Sequence, residues 1–132
     1  MIPTPIAPAL TLCEKVIVEE STRNLTFVNC FSHIRVASVP HQASPFFVCA
    51  SLTNSQGNGI ITLALTRLET DEVIDRWQST GTFPNRFAVV RVGFRINGCP
   101  FPDLGRYQFT LLVDDEWVAQ RDVEIVPDEV QP

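Results

Sequence analysis

Lysine is almost absent from this chain of 132 residues, and acidic side chains outnumber basic ones. Lys15 is the single lysine, and ten basic residues stand against fifteen acidic ones, which gives a formal net charge of −5. A protein that binds nucleic acid through the phosphate backbone needs a surplus of Lys and Arg to displace counterions. The composition therefore argues against a nucleic-acid partner.

Long apolar runs are also missing. No stretch reaches the roughly 18 apolar residues that cross a bilayer, so we expect no membrane partner. The first fifteen residues, MIPTPIAPALTLCEK, lack a basic start and contain three prolines, which is unlike a signal peptide. We therefore expect a cytoplasmic protein whose cysteines are free thiols. An oxidising compartment would leave three pairings open for Cys13, Cys30, Cys49 and Cys99.

The chain lacks the usual motifs of catalysis. It contains neither a G-x-S-x-G nucleophile motif nor a G-x-x-x-x-G-K-S/T phosphate-binding loop. Cys30 and His33 are three residues apart and would face opposite sides of a strand, which does not favour a catalytic pair. The irregular spacing of Cys30, His33, His41 and Cys49 is unlike that of zinc ligands. We therefore predict a protein that is not an enzyme and has no cofactor.

Short apolar runs separated by turn residues dominate what is present. Ten Pro and six Gly punctuate the chain, and nine Phe indicate a core of Phe and aliphatic side chains. About eight short strands follow one another at intervals of roughly 8–14 residues, which is typical of a sandwich or barrel. Alternation is clearest in residues 87–96, where one face carries Val90, Val92, Phe94 and Ile96 and the other carries Arg91 and Arg95.

The remaining strands are bounded by polar turns. Residues 10–19 and 25–31 predict a hairpin, residues 54–59 a clear turn, residues 73–78 a short strand, and residues 117–125 the last strand.

These boundaries predict one domain with two appendages. Residues 1–9 form a Pro-rich N-terminal arm, either flexible or an edge strand, and residues 10–127 form the single domain. Residues 128–132 form a polar C-terminal tail that cannot continue the last strand.

The segment Asp103-Leu-Gly105-Arg-Tyr107-Gln-Phe109 resembles the D-x-G-x-Y-x-C signature of immunoglobulin-like domains, with Phe109 at the cysteine position. The resemblance implies that Gly105 permits a tight bend and that the Tyr107 hydroxyl bonds back to upstream backbone, as in a tyrosine corner. It implies an all-β, immunoglobulin-like antiparallel β-sandwich of about seven to eight strands. The missing cysteine, and the absence of Trp on the central strand, depart from the antibody-type core.

Four further segments resemble a family of small uncharacterised bacterial proteins. Residues 12–19, 24–28, 98–102 and 105–107 are similar to its patterns C-(D/E)-x-V-x-V-(D/E), K-L-(S/T) and P-F-P-x-x-G-x-Y. Arg23-Asn24 stands where Gly-Lys is usual in the first turn. The resemblance covers most of the chain and implies a fold without implying an activity.

The acidic run Asp114-Asp115-Glu116 is the one weak candidate for a metal site. Its carboxylates are the oxygen ligands that calcium prefers. Aspartate is equally favoured at the solvated tip of a hairpin, and we favour that interpretation. Alanine at Asp114 or Asp115 is then expected to cost little stability.

Several apolar residues fall on faces that alternation predicts to point outward. Strand bends and bulges would explain them, and so would an interface with a protein partner or a second copy. The candidate interface residues are Phe46, Phe47, Phe87, Val89, Leu112 and Val118.

We therefore predict a non-enzymatic protein-interaction or structural module of a bacterial cytoplasmic assembly, and self-association is one form that this role can take. The alternative is an accessory domain that binds a ligand or metal through loops at one end of the sandwich.

Overall fold

The computed structural model describes residues 2–128, which form eleven β-strands in three sheets and include a curled half-barrel. This confirms the all-β class and exceeds the expected seven to eight strands. No helix within these residues is long and apolar enough to cross a membrane. The strands are β1 (Thr11–Val18), β2 (Leu25–Cys30), β3 (His33–Val36), β4 (His41–Gln42), β5 (Phe46–Leu52), β6 (Gly57–Arg67), β7 (Glu72–Phe83), β8 (Val90–Ile96), β9 (Pro100–Phe101), β10 (Gly105–Val113) and β11 (Glu116–Pro127).

Strand order places β1 at the centre of one sheet and β10 at the centre of the other. The four-stranded sheet runs β2-β1-β5-β8, and the five-stranded sheet runs β3-β11-β10-β6-β7. All pairs in these two sheets are antiparallel except β3, which runs parallel to β11. The third sheet is the short pair β4-β9.

The core lies where the two larger sheets meet. Alternate residues of β10 (Tyr107, Phe109, Leu111 and Val113) are at most 1% exposed, while the residues between them are partly exposed. The ring of Phe46 on β5 packs edge-on against Phe109 on β10 at 6.0 Å between centroids. Period-two alternation therefore fixes which face of each strand is buried.

Strand β8 follows the predicted alternation but starts later than expected. Phe94 and Ile96 are buried and Val90 and Val92 half-buried, as predicted. The strand begins at Val90 rather than at residue 87, because Asn85 forms a turn. Its side chain accepts from the Phe87 amide at 2.9 Å, and its carbonyl accepts from the Ala88 amide.

Strand β7 is twice as long as the sequence suggested. Residues 73–78 were expected, whereas Glu72–Phe83 pairs with β6 along nearly its whole length. As the edge strand of its sheet it is mostly exposed, so its second half, Gln78–Phe83, is polar and shows no alternation until Gly81. Backbone pairing with β6, which side-chain patterning does not report, extends the strand.

The Pro-rich arm packs onto the body of the protein. Ile6 exchanges two backbone hydrogen bonds with Thr53, at 2.8 and 3.0 Å. The Ser55 hydroxyl donates to the Pro3 carbonyl at 2.5 Å, and Pro5 is buried. Of the predicted C-terminal tail, only Asp128 lies within the described residues.

Candidate functional site

A groove of about 580 Å³ lies on the face of the four-stranded sheet that points away from the core. On β5, Val48 and Ala50 face the core, and the intervening Phe47, Cys49 and Ser51 line the groove. Side chains of a strand alternate between its two faces, so the outer face of β5 is the floor of this groove.

The β1–β2 hairpin forms one wall of the groove. Strand β1 pairs with β5 only at residues 11–13 and continues beyond them with β2 as a two-stranded ribbon. Val16 pairs with Phe27 and Val18 with Leu25, and all four side chains line the groove. Their lining position shows that the hairpin arches over the outer face of the sheet.

The tip of this hairpin is shaped by Glu19. Its carboxylate accepts hydrogen bonds from the Thr22 amide at 2.6 Å, from the Thr22 hydroxyl at 2.5 Å and from the Ser21 hydroxyl. These bonds lower the pKa of Glu19 to about 2. Arg23 takes a positive φ of 63°, and its amide donates to the Glu19 carbonyl at 2.8 Å.

One hydrogen bond ties the hairpin tip to the far edge of the sheet. Arg91 Nη1 on β8 donates to the Arg23 carbonyl at 2.6 Å. Strands β2 and β8 are the two edges of this sheet, separated by β1 and β5. A side chain of one edge can reach the loop of the other only because the sheet curls, so the Arg91–Arg23 bond closes the half-barrel over the groove.

The β8 wall of the groove is cationic. Arg91 and Arg95 both line it and are exposed, and Gly93 lies between them on the same face. A side chain at Gly93 would have its Cβ 3.7 Å from the Cys49 Sγ, an ordinary contact. No acidic residue lines the groove in the part of the chain that the structure describes.

Three thiols gather beside the groove floor. Cys13 and Cys30 are directly paired across β1 and β2, and Cys49 is on the adjacent β5. Burial raises the pKa of Cys49 to about 11, and the nearby Cys13 and Cys30 add to the rise. Burial also raises the pKa of Cys13. All four cysteines are free thiols, as expected, and the fourth, Cys99, is buried elsewhere.

The six candidate interface residues do not form one surface. Phe46 and Val118 are 3% and 7% exposed, so they belong to the core and the prediction is wrong for both. Phe46 faces inward because β5 begins there with Phe46 on the core parity, and Val118 because a bulge between Leu111 and Leu112 changes the register of β11.

The other four are partly or fully exposed, and only Phe87 and Val89 lie in the same segment. Phe47 lines the groove, and Leu112 is half-buried on the five-stranded sheet. Phe87 and Val89 are 92% and 58% exposed in the loop before β8.

The predicted tyrosine corner is present at the start of β10. The Tyr107 hydroxyl donates to the Asp103 carbonyl at 2.8 Å and accepts from the Asp103 amide at 3.1 Å. Gly105 has a φ of +121°, and a Cβ there would lie 2.6 Å from Glu69 Oε1. Glycine is therefore required at this bend. Phe109, at the expected cysteine position, is fully buried.

The acidic run is the tip of the β10–β11 hairpin. Asp114 and Asp115 have φ values of 50° and 66°, as in a type I′ turn, and β11 begins at Glu116. Asp114 Oδ1 accepts from the Ile60 amide at 2.9 Å, and the Asp114 amide donates to the Ile60 carbonyl. The Asp114 carboxylate thus has a structural use at the turn.

The histidines and cysteines considered for zinc are dispersed. His33 lies 3.3 Å from Glu124 on β11, His41 is on β4, and Cys30 is beside the other thiols. Within residues 2–128, no three Cys, His, Asp or Glu side chains are grouped so that they could hold a metal ion.

Sequence reasoning identified the parts of the groove but not the groove. The outward orientation of Arg91 and Arg95 and the β1–β2 hairpin were both predicted. The sequence pattern gave no indication of the bend after Cys13, where the pairing of β1 with β5 ends. Thr11 lines the groove and so do Val16 and Val18, which have the opposite parity.

Together these features define an all-β domain with an apolar, cation-rimmed groove on one of its two main sheets. The chain belongs to the family of unknown function DUF6941, whose sequence model matches residues 8–126. No curated protein matches it significantly.

Proposed function

We propose that this protein is a non-enzymatic binding domain that holds an elongated apolar ligand in the groove under the β1–β2 hairpin. The observation that carries the proposal is the groove itself. Its volume of about 580 Å³ falls within the roughly 300–1,000 Å³ typical of small-molecule sites. Its lining combines apolar side chains with a few polar groups, as such sites do.

Ligand binding was the alternative to the predicted interaction module, and the groove gives it a different place. The sequence suggested loops at one end of a sandwich, whereas the groove lies on a sheet face. Apolar side chains at Val18 and Phe27 are 46% and 37% exposed although they point into the groove. A ligand that covers them gains hydrophobic free energy, at about 25 cal/mol for each Å² of apolar surface removed from water.

An uncharged fluorescent probe tests this role directly. N-phenylnaphthylamine fluoresces in apolar sites, and we expect saturable binding with one probe per protein. Gly93→Leu places a side chain in the groove and should abolish the signal, while Gly93→Ala should retain most of it. A Cβ at Gly93 meets only an ordinary contact, with Cys49 Sγ at 3.7 Å, and far-ultraviolet circular dichroism checks that both variants fold. Equal probe binding by the Leu and Ala variants would refute the proposal.

Self-association or docking of a protein partner is a second candidate, supported by a different surface. Ile6, Phe87 and Val89 are 57%, 92% and 58% exposed. Backbone hydrogen bonds join Ile6 to Thr53 and Asn54 to Arg86, which brings these three side chains to one end of the domain. A solvent-exposed apolar cluster of this kind is typical of an interface. The cytoplasmic location stays a prediction.

We also propose that the fold is an immunoglobulin-like sandwich. Support comes from the sheet β1-β5-β8 facing β6-β10-β11, from β3 pairing in parallel with the last strand, and from the tyrosine corner on the penultimate strand. In aligned sandwiches the two sheets cross at about 30°. An experimental structure in which they cross near 90° would contradict this assignment.

A further inference from the structure

We infer that the ligand of the groove is an amphipathic anion, a long apolar chain ending in a carboxylate that Arg95 binds. This rests on the proposed function and adds the chemical class of the ligand. In this arrangement the apolar chain of the ligand contacts the wall formed by the β1–β2 hairpin. The head group contacts the wall formed by β8.

Charge in the groove is opposite to the charge of the protein. The chain has a net charge of −5, yet the groove is lined by two arginines and by no acidic residue among those described. Salt bridges within residues 2–128 involve His33 and Arg67, and neither Arg91 nor Arg95 takes part in one. The two guanidinium groups therefore carry uncompensated positive charge beside an apolar surface.

The two arginines have different tasks. Arg91 is engaged in closing the half-barrel through its bond to the Arg23 carbonyl. Arg95 makes no side-chain hydrogen bond within the described residues, so all of its donors are available to a ligand. A guanidinium presents two parallel N–H groups that match a carboxylate bidentately, which makes Arg95 the head-group residue.

The position of Gly93 fits an extended ligand. It separates Arg91 from Arg95 on the groove-facing side of β8, and across from it Cys49 contributes a protonated, uncharged thiol because its pKa is raised to about 11. A chain anchored at Arg95 can thus lie across this gap and against Val16 and Phe27, which also line the groove.

A head-group series on one chain length tests the inference. Laurate and dodecyltrimethylammonium, each below its micellar concentration, and dodecanol, below its solubility limit, compete with N-phenylnaphthylamine for the full-length protein. We expect laurate to bind about tenfold more tightly than dodecanol, because one charge-assisted hydrogen bond contributes a difference in affinity of that size. The cation should compete worst. Added salt should narrow the difference between laurate and dodecanol.

Variants then assign the preference to one residue. Arg95→Gln should bring laurate to the affinity of dodecanol, with the affinity of each competitor taken relative to the probe affinity measured for the same variant. Arg76→Gln, an exposed arginine on β7, is the matched control and should change neither affinity.

The outcomes separate the two proposals. Equal competition by laurate and dodecanol, or better competition by the cation, overturns the inference while the binding role stands. If N-phenylnaphthylamine does not bind and laurate, dodecanol and dodecyltrimethylammonium leave its fluorescence unchanged, the proposed ligand-binding function is overturned. A laurate preference that survives Arg95→Gln overturns the assignment to Arg95.

Discussion

The Tyr107 hydroxyl and the Asp103 backbone exchange two hydrogen bonds, so that one side chain satisfies both the carbonyl and the amide of a residue four positions upstream. Tyr107 is fully buried, and its ring packs edge-on against Phe101 at 5.1 Å between centroids. The corner therefore fixes the loop between β9 and β10 from inside the core.

Tyr107→Phe removes both bonds and preserves the ring packing. We expect the free energy of unfolding in urea to fall by about 1–3 kcal/mol, because the Asp103 carbonyl and amide each lose a hydrogen bond to the hydroxyl. Asp103→Asn keeps the backbone groups and should cost less. A Phe variant as stable as the wild type would show that water replaces the hydroxyl without loss.

The β10–β11 turn should respond to substitution in both directions. Both central residues are left-handed, a conformation that costs most residues about 1–2 kcal/mol. Asp115→Gly creates the Asp-Gly pair that type I′ turns favour and should stabilise by about 0.5–1 kcal/mol. Asp114→Ala loses the bond to the Ile60 amide as well and should destabilise by about 1–2 kcal/mol.

These values replace the expectation that alanine costs little at this turn. Thermal unfolding monitored by circular dichroism measures them. A neutral Asp114→Ala together with a destabilising Asp115→Gly would contradict the positive-φ geometry.

The four thiols should differ in reactivity. Cys30 is exposed, whereas Cys13, Cys49 and Cys99 are at most 7% exposed. The thiolate is the reactive form, so burial and a raised pKa both slow alkylation. Iodoacetamide at pH 8 should add one group rapidly, at Cys30, and peptide mass spectrometry locates it. Rapid modification of the Cys30→Ser variant would contradict this order.

Stability should decline at alkaline pH through the buried thiols. Burial raises the pKa of Cys49 to about 11 and that of Cys99 to about 12, against 9.0 for an exposed thiol. Above pH 9 the unfolded chain therefore releases protons that the folded chain retains, and the free energy of unfolding falls as pH rises toward 12. Below pH 9 both states are protonated and this contribution is constant.

Urea unfolding at pH 8 and pH 10 measures the decline. Cys99→Ala should show a smaller decline than the wild type, whatever its absolute stability. An equal decline in both proteins would exclude Cys99 as a source.

Self-association should depend on the exposed end of the domain. Phe87→Asp places a charge on a side chain that is 92% exposed, so it should leave the fold intact and weaken any dimer. Val73→Asp, 46% exposed on β7, is the matched control. Sedimentation velocity at high concentration reports the oligomeric state. A strictly monomeric wild type would remove the basis for this candidate.

Residue alternation was sufficient to predict the inward positions of β8, because that strand is buried on one face only. The corner at Tyr107 was predicted from the resemblance of residues 103–109 to the immunoglobulin signature. Strand β3 was not predicted as a parallel partner of β11, since that pairing joins residues 33–36 to residues 124–127 through the backbone. The length of β7 was missed for the same reason.

The groove could not be predicted because it depends on curvature. Alternation predicts which residues share a face of a strand, and it predicted that Arg91 and Arg95 lie on the same face. It does not report that β1 leaves β5 after Cys13 or that Arg91 reaches the Arg23 carbonyl. Those are relations between sheet edges, which no short segment contains.

The split pairing of β1 has a consequence for local unfolding. Residues 11–13 pair with β5, and Cys13 also pairs with β2. Val16–Val18 pair with β2 alone. The outer part of the hairpin can therefore open as a separate cooperative unit while the sheets of the core stay intact. The hydrogen bond between Arg91 and the Arg23 carbonyl must break for this opening to occur. Amide protons of β2 would then exchange with solvent through this local opening and not only through global unfolding, and the same opening would widen the entrance of the groove.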